Sequence, residues 1–236
     1  MMKKVLFLLV FVLCLGMVSA TTYKSITFDG SLADWSADEN MGTDSAYSFY
    51  MTWDANSIYF AVDRGTLGGA YLGDNTGTDD SFFIAIDVNQ APGVGATSDG
   101  YGMVTSFNNQ YLPDYVFYYA GASGWFEYSR WTTNASAWEW MGWSNAGTFY
   151  GWSGSPNDEF GIDRATIGNP SALAVYAWRS KENSDPIIAS WPQANPIGAS
   201  GTLQFNYAYV VPSLGAGISP NSSSAVPVEL SSFASE

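Results

Sequence analysis

The feature that most constrains this chain is its punctuation: short runs of aromatic and β-branched residues, each cut off by Gly, Asn, Asp, Ser or Pro. Antiparallel strands of a sandwich or barrel are written in that rhythm, and no segment carries the apolar periodicity of an amphipathic helix. The stretch AYSFYMTW, then DANS, then IYFAVDR reads as a hairpin turning at Asp54 to Ser57. DSFFIAIDV reads as a strand with Phe83, Ala85 and Asp87 on one face and Phe82, Ile84 and Ile86 on the other, the second being the core face. In PDYVFYYAGASGWFEYSRW the turn GASG joins Tyr115 to Tyr119 with Trp125 to Trp131 in a second hairpin. AWEWMGW, LAVYAWRS and GTLQFNYAYV supply later strands, and only GIDRATIG suggests a helical turn. The expected fold is all-β, an antiparallel two-sheet β-sandwich of jelly-roll or immunoglobulin-like type.

A chain of 236 residues suits one such sandwich. Residues 1–20 have Lys3 and Lys4, an apolar run to Leu15, and the small residues Ser19 and Ala20, the layout of a secretory signal peptide. The apolar run is short for a membrane anchor, so no membrane insertion is expected once the signal is removed. Leu13 before Cys14 argues against lipid attachment. The sandwich is expected over 21–211, and 212–236, rich in Pro, Ser, Gly and Ala without periodicity, reads as a flexible tail or linker. These features place the protein outside the cell or on its surface.

Loss of Lys3 and Lys4 with the signal takes the formal net charge from −14 to −16. A balance that acidic repels phosphate backbones and anionic membrane surfaces, so nucleic acid is excluded as a partner. The lone cysteine, Cys14, lies in the signal, and there is no histidine. Disulfides, thiolate chemistry, Ser-His-Asp catalysis and the common zinc sites are excluded with them. With only Met41, Met51, Met103 and Met141 as axial ligands in the mature chain, haem is not expected either. Carboxylates remain as the acid–base groups.

SITFDGSLADW at 25–35 resembles the opening of the family 9 carbohydrate-binding modules and the DOMON-like group, which begin with a strand, Asp-Gly, and then Trp. YSFYMTWDANSIYFAVD resembles that family's next hairpin, DDSFFIAIDV its central strand ending in Asp, and DEFGIDRATIG its E-x-x-IP segment, with Asp163 where the family has Pro. The order and spacing of these motifs cover about residues 23 to 210. The resemblance implies a β-sandwich and sugar binding, though such folds also serve as adhesion modules. At the C-terminus, VPVELSSFASE resembles the segment that precedes type IX secretion sorting modules.

Six of the ten tryptophans, Trp125, Trp131, Trp138, Trp140, Trp143 and Trp152, fall between residues 125 and 152. An exposed indole flanked by polar acceptors grips the apolar face of a sugar ring, whereas a disulfide-free sandwich also fills its interior with such residues. Alternation sets Trp138 and Trp140 opposite Glu139, which predicts both rings in the core and Glu139 in solvent. Trp125, Trp131, Trp143 and Trp152, at strand ends or in loops, are the candidate ligand contacts, with Tyr128 and Arg130 as polar partners and Tyr118, Glu127 and Asn134 nearby.

GDNTGTDD at 73–80 offers Asp74, Asn75, Asp79 and Asp80 as hard oxygen ligands for a structural calcium ion, with Asp87, Asn89 and Asp99 as a second set. The functional expectation is a secreted, non-catalytic module that binds a polysaccharide or oligosaccharide for adhesion or capture. Self-association through an aromatic patch of a structural surface protein is the alternative. A glycoside hydrolase would require a carboxylate pair from Glu127, Glu139, Glu159 and Asp163, but EFGID lacks the second Glu of the Glu-x-Asp-x-x-Glu strand of jelly-roll glucanases.

Overall fold

The alternation in the sequence resolves into two facing antiparallel sheets and a small third layer. The computed structural model describes residues 24–45, 47–63, 80–101, 105–120, 125–143, 149–153, 157–181, 187–193, 195, 197–198, 202–217 and 226–227. In chain order the strands are β1 (Asn40–Asp44), β2 (Tyr47–Trp53), β3 (Ser57–Asp63), β4 (Asp80–Asp87), β5 (Thr105–Phe107), β6 (Tyr115–Ala120), β7 (Trp125–Thr132) and β8 (Ala137–Trp143). They continue with β9 (Phe149–Ser153), β10 (Asn157–Asp163), β11 (Leu173–Lys181), β12 (Ile187–Trp191), β13 (Leu203–Phe205), β14 (Tyr209–Val211) and β15 (Val226–Pro227). The first sheet runs β1-β2-β3-β10-β9 and the second β15-β14-β11-β4-β6-β7-β8, with β12 also paired to β11. The protein is a β-sandwich.

The β2–β3 hairpin forms around Asp54, and β6 pairs with β7 as read from the sequence, while the expected turn GASG at 121–124 lies outside the described residues. Asp54 shapes its turn by accepting the Asn56 and Ser57 backbone N–H groups, each at 2.7 Å. The helical turn at GIDRATIG is a single 3₁₀ turn, Arg164–Ile167, closed by Gly168 in the left-handed region at φ 83°. GTLQFNYAYV does not form one strand. It divides into β13 and β14, which serve different sheets.

The core between the sheets is aromatic. Phe49 and Phe60 stack within the first sheet, and Phe82 of the second stacks on Phe160 of the first at 5.4 Å and 5°. Phe82, Ile84 and Ile86 point into this core as expected. The opposite face of β4 is buried as well, because Phe83 and Ala85 join Tyr176 and Trp178 beneath Phe107, Leu112, Leu203 and Phe205. β5 and β13 pair in parallel to make that third layer. Among the described residues it lies over β4, β6 and β11 of the second sheet.

The DG…W opening has a structural reason. Lys24 to Phe28 joins neither sheet, and the segment is instead clamped by Glu159 of β10. One carboxylate oxygen of Glu159 accepts the N–H groups of Asp29 at 2.9 Å and Gly30 at 2.7 Å, and the other accepts Trp35 Nε1 at 3.0 Å. Asn157 Nδ2 donates to the Gly30 carbonyl at 2.8 Å. A buried carboxylate is tolerated where its lone pairs are filled in this way.

Packing also continues past residue 211. Leu214 is buried, its N–H bonds to the Ser171 carbonyl, and Trp53 Nε1 donates to the Gly215 carbonyl. Val226 and Pro227 add β15 to the edge of β14.

Candidate functional site

The β7–β8 hairpin turns at residues 133–136, where Asn134 is exposed, and its register pairs Trp131 with Trp138, Arg130 with Glu139 and Ser129 with Trp140. The register then shifts, and Glu127 pairs with Trp143. That shift is a bulge, and it falls at Gly142, whose φ of 97° lies where side-chain-bearing residues are strained. The bulge returns Trp143 to the register side of Trp138 and Trp140 despite its odd spacing. Alternation read from the sequence could not see it.

The two faces of this hairpin differ in kind. On the inner face Phe126 packs on Tyr119 and Tyr128 stacks on Phe117 at 5.3 Å. Beyond them Arg130 and Glu139 form a 2.7 Å ion pair with both side chains about half exposed, so the core has run out by this point. An ion pair that wet contributes little to stability.

The outer face carries Glu127, Ser129, Trp131, Trp138 and Trp140. The expectation that Trp138 and Trp140 fill the core holds in part for Trp138, which is half-buried and packed against the Phe83–Trp178 cluster, and is corrected for Trp140, which is 55% exposed. Glu139 does lie in solvent, as expected. The exposure of Trp140 follows from its position on β8, the last strand in the described pairing order.

Residues 98–101 form a ledge against the tryptophans. Trp138 Nε1 donates to the Ser98 carbonyl at 2.8 Å, and its indole lies on Gly100 so closely that a Cβ there would sit 2.8 Å from Cγ. Trp131 meets Trp138 edge to face at 5.5 Å. Tyr101 packs on Phe83 and Tyr118, behind the ledge. Trp140 Nε1 donates to Glu127 Oε2 at 3.3 Å. Burial raises the Glu127 carboxyl above its ordinary value, opposed by hydrogen bonds from Trp140 and Tyr101, and burial likewise raises the Tyr101 hydroxyl. Indole faces held by hydrogen bonds, beside a half-buried carboxylate, can receive a ligand with an apolar C–H face and hydroxyls at its rim.

The six residues expected to contact ligand are distributed over three faces. Trp131 is on the outer face of the second sheet, and the register gives Trp125 and Trp143 positions on that side, although only their backbones are described. Tyr128 and Arg130 are on the inner face. Trp152, also described by backbone alone, pairs with Glu159 in the other sheet. Reasoning from the sequence missed Trp140 as surface, and the ledge at Ser98 to Tyr101 against which Trp138 is held. Gly100 and Gly142 were the available signals, each marking a close approach or a bulge.

Of the four carboxylates named from the sequence, Asp163 accepts Ser57 Oγ at 3.3 Å. Glu127 and Glu139 are on opposite faces of one hairpin, and Glu159 is filled by its three donors. Of the calcium expectation, Asp74, Asn75 and Asp79 lie outside the described residues, and only the backbone of Asp80, which opens β4, is described. In the second set, Asp87 accepts the Asn89 and Gln90 N–H groups, Asn89 Nδ2 bonds to Asp114, and Asp99 accepts the Tyr101 N–H. Among the described residues no group of three or more carboxylate, thiolate or imidazole side chains is arranged to hold a metal ion.

Neither a protein-family profile nor a curated protein matches the chain. Among solved structures it is similar to a family 9 carbohydrate-binding module from Caldicellulosiruptor kristjanssonii, solved in complex with glucose, at 13% identity over 70% of this chain and 78% of that one, with a TM-score of 0.35. So slight a likeness carries no argument about the site.

Proposed function

We propose that this protein is a secreted, non-catalytic β-sandwich that binds carbohydrate through the outer face of β7 and β8, for adhesion or polysaccharide capture. The observation that carries the reading is Trp140, a large ring 55% exposed on β8 beside the bulge at Gly142, with its indole N–H bonded to Glu127. Exposed aromatic surface of that kind marks a place of contact, and a sugar ring matches it by stacking its C–H face on indole while its hydroxyls meet the carboxylate. Trp131 and Trp138 extend the same face. Calcium bound at Asp74, Asn75, Asp79 and Asp80 belongs to the same reading as a structural ion.

Titration with a panel of soluble glycans, followed by tryptophan fluorescence, tests the proposal. A saturable shift that disappears in Trp140→Ala supports it, and silence across the panel removes it. A second reading, self-association, draws on Met141, which is 37% exposed on the face of β8 opposite Trp140. Sedimentation that depends on concentration, together with no glycan response, favours that reading.

A further inference from the structure

Among the described residues, the aromatic face of β7 and β8 bears carboxylates and no cation. Glu127 stands between Trp140 and Tyr101, and Asp99 is held in the ledge by the Tyr101 N–H at 2.8 Å. The basic groups whose side chains are described are all elsewhere. Lys24 pairs with Glu39, Arg130 pairs with Glu139 on the inner face, Arg164 bonds the carbonyls of Asp54 and Pro170, and Arg179 is buried on the core side against the Tyr47 ring. Among the described residues no cation is therefore offered to a carboxylate or sulfate approaching Trp140. Recognition of such anions relies on Arg or Lys donors, and like charge placed against like charge is a means of rejecting the wrong partner.

We propose that Glu127 is the specificity-determining residue of this face: it orients Trp140, accepts ligand hydroxyls, and restricts the site to uncharged or cationic glycans while rejecting uronate and sulfated ones. The inference rests on the carbohydrate reading and adds the charge class of the ligand to it. Glu127→Gln is the informative change, because the amide oxygen still accepts Trp140 Nε1 while the charge is gone.

Two measurements test it. In the first, wild type and Glu127→Gln are titrated at low salt with neutral cello-, xylo- and manno-oligosaccharides and with oligogalacturonate and chondroitin sulfate oligomers of matched length. The wild type is expected to bind the anionic oligomers about tenfold or more weakly than the best neutral one, and the variant to narrow that gap at least about threefold. In the second, which uses no glycan, the Trp140 fluorescence component, taken as the difference from Trp140→Phe, is quenched by iodide and by acrylamide. Iodide quenching is expected to rise in Glu127→Gln while acrylamide quenching stays unchanged. Equal binding of neutral and anionic oligomers by wild type, or an unaltered gap and unaltered iodide quenching in the variant, overturns the inference and leaves sugar binding standing. No binding of any oligomer overturns the carbohydrate reading and the inference with it.

Discussion

Replacing Glu159 by Ala strips the acceptor from three donors at once, the Asp29 and Gly30 N–H groups and Trp35 Nε1, all within 3.0 Å of its carboxylate. A hydrogen bond to a charged group contributes about 1.5–3 kcal/mol, and a buried donor left without a partner costs about 1–3 kcal/mol. The three losses are not additive, because one relaxed segment exposes all three donors to water, so the expected destabilisation is about 4 kcal/mol. In a domain of this size 1 kcal/mol shifts Tm by about 2–4 °C, which puts the fall at roughly 8–16 °C. Trp35→Phe removes one of the three bonds to the carboxylate and should cost about 1.5–3 kcal/mol. Calorimetry or circular dichroism melts measure both variants, with urea titration to check that the m-value holds. A Glu159→Ala protein that melts within about 2 °C of wild type would refute the clamp, and loss of ligand response without loss of stability would reassign Glu159 to function.

Other consequences follow from the same geometry. Gly100→Ala forces a Cβ against the Trp138 ring, so it should break the Trp138–Ser98 hydrogen bond, cost about 1–3 kcal/mol in melts and alter the near-UV circular dichroism of the tryptophans. Asp87 is fully buried, and burial pushes its carboxyl up to about 6, reinforced by the neighbouring Asp114 and opposed by N–H bonds from Gln90 and Asn89. Because the folded state holds this proton more tightly than the unfolded chain, stability is greatest below the unfolded value near 4 and declines as pH rises through about 6. Asp87→Asn should flatten that slope and raise stability at pH 7 by about 2 kcal/mol, measured by urea melts from pH 4 to 8. An unchanged slope would show that Asp87 is not the titrating group.

How far the sequence could be read depended on whether a feature was local. Asp54 to Ser57 marked a hairpin because turn chemistry is set by adjacent residues, and that hairpin is present, while the strands flanking GASG pair as expected although the turn itself lies outside the described residues. Phe82, Ile84 and Ile86 were readable as core from alternation, but burial of Phe83 on the other face was not, since its cover arrives from β5 and β13, over twenty and over a hundred residues away. The same non-local fact defeated the placing of Trp140. Burial of a strand residue depends on what lies across the sheet, and β8 is last in the described pairing order, with residues 98–101 set against Trp138. The bulge at Gly142 shifted Trp143 in register for a reason that periodicity alone cannot register. Glu159 was readable as a motif element, and its partners were not, because Asp29, Gly30 and Trp35 are more than a hundred residues away.

The central claim, that the outer face of β7 and β8 is the ligand surface, is tested most directly by isothermal titration of wild type and Trp140→Ala with the soluble glycan that gives the largest fluorescence response. Trp140 is mostly in solvent, so its removal should leave Tm within about 2 °C of wild type while weakening binding at least about tenfold. Equal affinity in the two proteins would contradict the account and move the ligand to another face.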